Sequence, residues 1–139
     1  MDTSEKYIRM CDCPEVQGQF RANEGDWLYC TCGDIEHYPG GYGINVITTG
    51  DADIGNMDLK ESESDVWLPR QDQIQGMLEE DWQKTCVHFV RYVTNDFAPN
   101  TIFYTRRDEI GSMEQLWLAF YMHEKHGKIW DDEKGWVDE

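Results

Sequence analysis

"SMEQLWLAFYMHEKHG", residues 112–127, decides how the rest of this sequence is read. Ser112 and Gln115 stand at capping-box spacing, where a hydroxyl and an amide satisfy the free N–H groups of a first helical turn. Gly127 supplies the stop, because glycine readily adopts the left-handed conformation that ends helices. Between them Met113, Leu116, Trp117, Phe120 and Tyr121 recur at three- and four-residue intervals, which predicts a helix with one buried face.

Working outward, "KIWDDEKGWV" at 128–137 changes period. It reads as two short strands about a polar turn, with Trp130 and Trp136 packing across it. Upstream, "TIFYT" at 101–105 reads as a strand. Before that, Ile74, Met77, Leu78, Trp82, Cys86, Phe89, Val90 and Val93 form a helical stripe that starts after Pro69 and ends before Pro99. The stripe is one long helix or two collinear pieces broken near Gly76 or at residues 79–81, and periodicity does not choose between them.

The first half holds shorter elements. "GDWLYCTC" at 25–32 predicts a strand with Trp27, Tyr29 and Thr31 on one face and Leu28, Cys30 and Cys32 on the other. "YGINVITT" at 42–49 predicts a second strand. Pro14 opens a short helix, "PEVQGQF", with Asp12 or Cys13 near its cap, so Cys11 and Cys13 are expected in the turn leading into it. Residues 48–65, "TTGDADIGNMDLKESESD", lack a sustained period and read as a long, solvated acidic loop. The expected architecture is a single α+β domain spanning residues 1–139. In it a small antiparallel sheet, drawn from the N-terminal half, residues 102–105 and the hairpin, packs against two main helices. Trp67, Trp82, Trp117, Trp130 and Trp136 are expected to build much of its core.

The chain of 139 residues carries 28 acidic against 12 basic side chains, a formal net charge of -16. Residues 34–66 hold Asp34, Glu36, Asp51, Asp53, Asp58, Glu61, Glu63 and Asp65 against Lys60 alone. Such a balance repels phosphate backbones, and Arg106–Arg107 is the only basic doublet, so nucleic acid is a disfavoured partner. The same balance suits the basic face of another protein, with Asp51, Asp53 and Asp58 as candidate contacts; imitation of nucleic acid is one form of that role. The opening "MDTSEKYIRM" has no apolar stretch behind it, and no run of about 18 apolar residues occurs. A soluble cytoplasmic protein that does not engage a membrane is expected.

Five cysteines, an odd number, without an export signal point to thiols or metal ligands and not to a disulfide framework. Cys11, Cys13, Cys30 and Cys32 form two CxC pairs, and four thiolates can hold zinc tetrahedrally. Structural zinc sites use wider C-x₂₋₄-C turns, however, and CxC on a strand separates its sulfurs by about 6 to 7 Å. Apolar packing without a cofactor is therefore the expectation, and a zinc-stabilised module the alternative.

"HEKH" at 123–126 spaces its histidines three apart, where the metallohydrolase pattern HExxH needs four. Solvent-facing residues are expected there, and a small hydrolase using His88, His123, Glu124 and His126 on an unknown substrate is the alternative. "DADIGNMD" at 51–58 departs from a calcium loop at Gly55, Asn56 and Ser62. No glycine-rich phosphate loop and no GxSxG occurs. "PRQDQ" at 69–73 places Arg70, Gln71, Asp72 and Gln73 at the start of a helix. There Asp72 suits the helix dipole and Arg70 pairs with it or with a carboxylate elsewhere. An arginine beside two amides also recognises carboxylates and base edges, which makes this cluster a candidate binding site.

"VWLPRQDQIQGML" at 66–78 and "SMEQLWLAFYMHEKHGKIWDDEKGWV" at 112–137, with "PEVQ" followed by "GDWLY" before them, resemble a family of small uncharacterised proteins encoded by phages and prophages of Gram-positive bacteria. The resemblance spans roughly half the chain. It implies an accessory role exercised by binding a host or phage protein, and it implies no activity, cofactor or catalytic residue.

Overall fold

The computed structural model describes residues 1–21, 23–30, 43–46, 65–78, 81–94 and 111–139. The fold is α+β, as the sequence patterns require. Contacts gather the chain into two compact units, residue 1 with residues 3–70 and residue 2 with residues 71–139.

In the first unit, α1 (Glu5–Cys11) starts at Ser4, whose Oγ accepts the Tyr7 N–H at 3.2 Å, and Glu5 sits at the positive end of the helix. Tyr7, Met10 and Cys11 are its buried stripe. This helix corrects the expectation that Cys11 lies in a turn. Seven residues are too few to hold a helix alone, and packing on the neighbouring strand β3 (Asp65–Leu68) supplies what local propensity lacks. Next, α2 (Pro14–Gln17) has Pro14 in its first turn and Cys13 at the cap, as expected.

Strands β1 (Trp27–Cys30), β2 (Gly43–Val46) and β3 form an antiparallel sheet in the order β2-β1-β3. Leu28 and Cys30 are buried while Trp27 and Tyr29 are half-buried, the alternation read from the sequence. Leu28 pairs with Trp67, and Cys30 with Asp65. The sequence pattern assigns no element to "VWL" ahead of Pro69, whereas here it is a strand. Valine and tryptophan favour pleated backbone, and the residue before Pro69 is excluded from the helical region.

Among the described residues β3 is an edge, and α2 closes it. Gln17 Oε1 accepts the Trp67 N–H at 3.0 Å, and its Nε2 donates to the Trp67 carbonyl at 3.1 Å and to the Cys11 carbonyl at 2.8 Å. One side-chain amide thus does what the next strand would do. Tyr7 adds a hydroxyl donated to the Pro69 carbonyl.

In the second unit, α3 (Gln71–Met77) and α4 (Trp82–Thr94) are separate helices, which resolves the two readings of the long stripe. The helix α5 (Met113–His126) has the expected ends. Ser112 Oγ accepts the Gln115 N–H at 3.1 Å, and Gln115 Oε1 accepts the Gly111 N–H at 3.0 Å. The Asp2 carboxylate receives Ser112 Oγ at 2.6 Å and Gln115 Nε2 at 2.7 Å. At the other end Gly127 adopts φ 62°.

Burial on α5 is wider than one face. Every residue from Trp117 to Met122 is buried, while Met113 is exposed. The cause is enclosure: α3 packs on this helix, and so does β4 (Lys128–Asp131). In the following hairpin β4 pairs with β5 (Gly135–Asp138), and Trp130 meets Trp136 edge to face at 5.1 Å, as expected. Asp131 Oδ1 accepts the N–H groups of Glu133 and Lys134 in the turn, and Gly135 takes φ 79° to close it. The hairpin is a separate two-stranded sheet, so the single sheet expected from the sequence is two among the described residues. Residues 101–105 lie outside them.

The register of α4 also differs from the expected stripe. Thr85 is buried and Phe89 and Tyr92 face α5, with the Phe89 ring stacked on Trp117 at 3.8 Å and set edge-on to Phe120 at 5.4 Å. Tyr92 meets Phe120 at 5.3 Å. Rings bury more area than valines and gain from offset and edge contacts, so they rotate the helix and turn Trp82, Cys86 and Val90 outward. Phe89→Ala is therefore expected to cost roughly 2–3 kcal/mol in denaturant unfolding, and Val90→Ala to stay within about 0.5 kcal/mol. Equal losses would contradict this facing.

Candidate functional site

The cluster at 69–73 divides between the two units. Arg70 Nη1 donates to the Gly25 carbonyl at 3.0 Å and lies 3.5 Å from Asp26 Oδ1. The carboxylate elsewhere that the sequence reading allows is Asp26, which that reading does not single out. It is fully buried, and its Oδ2 accepts the Asn23 N–H at 2.8 Å. A buried carboxylate needs a counter-charge and donors, and Arg70 with the turn at residues 23–26 supplies both. The "GD" before the strand is the signal that was available: a turn aspartate bonded to the backbone three residues earlier. In the second unit Asp72 is exposed in the first turn of α3, and Gln71 and Gln73 are half-buried.

Of the acidic candidates, Asp51, Asp53 and Asp58 lie outside the described residues. Among the described residues, Asp65, at the head of β3, has both carboxylate oxygens buried without a hydrogen-bond partner, and on the same strand face Trp67 Nε1 is likewise unmatched. Each such group costs roughly 1–3 kcal/mol.

Among the cysteines, Cys11 and Cys30 are buried thiols of the first unit and Cys32 lies outside the described residues. Cys13 Sγ is 3.7 Å from the Met10 carbonyl, to which it donates. Burial, reinforced by the charge of Glu15, pushes its thiol from 9.0 up to about 11. Cys13 is thus held protonated at neutral pH, the form that is a poor nucleophile. Among the described residues no three His, Cys, Asp or Glu side chains gather as a metal site.

The histidines are less scattered than solvent-facing residues need be. Glu124 lies between two imidazoles, 3.0 Å from His123 Nδ1 and 3.9 Å from His88 Nδ1. His123 in turn has Glu139 at 3.1 Å from its Nε2. The arrangement lines up imidazoles and carboxylates in a partly exposed row that joins α4, α5 and the end of the hairpin. His126 stands apart, 3.2 Å from the Tyr121 hydroxyl.

No protein-family model, curated protein or solved structure matches the chain. Among the described residues no helix is long and apolar enough to cross a membrane.

The Cys13 thiol gives a signed prediction. Its pKa is raised on folding, so its contribution to stability is intact below pH 9.0 and is lost as pH rises toward about 11. Measured by denaturant unfolding, wild type is expected to lose stability relative to Cys13→Ser across that interval. A difference that is flat or grows with pH would contradict a buried, protonated thiol.

Proposed function

We propose that this chain is a cytoplasmic accessory protein of phage or prophage type that works by binding another protein through an acidic surface. The observation that carries this reading is the disposition of charge. The net charge is -16, and within the described residues Glu5, Asp12, Glu24, Asp72, Asp132 and Glu133 are exposed, while the carboxylates of Asp26 and Asp65 are drawn inward. Carboxylates left in solvent add little to stability but create a field that accelerates and orients docking onto a basic partner. The density of acids from residue 48 to 65 makes that region the centre of the proposed contact. The resemblance of residues 66–78 and 112–137 to phage and prophage proteins supports a host or phage protein as the partner. Nucleic acid does not fit this reading, because like charge opposes it. No cofactor enters it.

Affinity capture from infected or lysogenic cells, followed by titration of the purified captured protein, tests the reading. Reversing charge at Asp51, Asp53, Asp58, Glu61 and Glu63 together is expected to weaken binding at least about tenfold, and added salt to weaken the wild-type complex. A partner held equally well by the reversed variant, at every salt concentration, would overturn it.

A further inference from the structure

We draw no further inference here: the strongest candidate, the exposed apolar patch that Val87 and Val90 form on the outer face of α4, carries none because nothing among the described residues shows what covers it.

Discussion

One side-chain amide secures the first unit. Gln17 reaches from α2 to both peptide groups of Trp67 and to the carbonyl of Cys11, so its two N–H groups and its oxygen are all engaged. A strand of four residues with an open outer edge is a marginal element, free to slip or to recruit another chain. Closing that edge at its third residue fixes the register that places Trp67 against Leu28 and Phe20. It also fixes where β3 ends. Pro69 then accepts from the Tyr7 hydroxyl, and Arg70 lies within reach of Gly25 and the buried Asp26. The turn that starts β1 is therefore held by the residue that follows β3, and the order of these contacts runs back to Gln17.

The second unit rests on a different kind of contact. Its centre is the ring cluster of Phe89, Tyr92, Trp117 and Phe120, with the Trp130–Trp136 pair on the hairpin that follows α5. These rings dictate which way α4 faces. That facing leaves an apolar, acid-free stripe in solvent on a chain whose other exposed side chains are rich in carboxylates.

Much of this architecture was legible in the sequence where a local signal and the tertiary outcome agree. Ser112, Gln115 and Gly127 bound α5 as their chemistry requires, Trp130 and Trp136 face across their hairpin, and Leu28 and Cys30 alternate inward on β1. The failures share a cause. α1 has only three stripe residues, β3 has only four residues and ends at a proline, and α4 carries apolar residues on more than one face, so periodicity alone could not orient it. In each case a long-range partner chose among locally comparable options. The Arg70–Asp26 pair was half legible: the arginine stood out, but its carboxylate, 44 residues earlier, did not. Asp51, Asp53 and Asp58 stand out by charge density alone, a property of sequence that carries no geometry.

The first unit depends most on the Gln17 amide acting as the missing strand at the edge of β3. Amide hydrogen exchange at Trp67 tests this most directly, because an edge N–H facing solvent exchanges quickly and one donated to a fixed acceptor does not. The Trp67 amide is predicted to exchange as slowly as the amides of β1, which lies between two strands, and to lose that protection selectively in Gln17→Leu. Fast exchange in the wild type, or protection unchanged by the substitution, would contradict it.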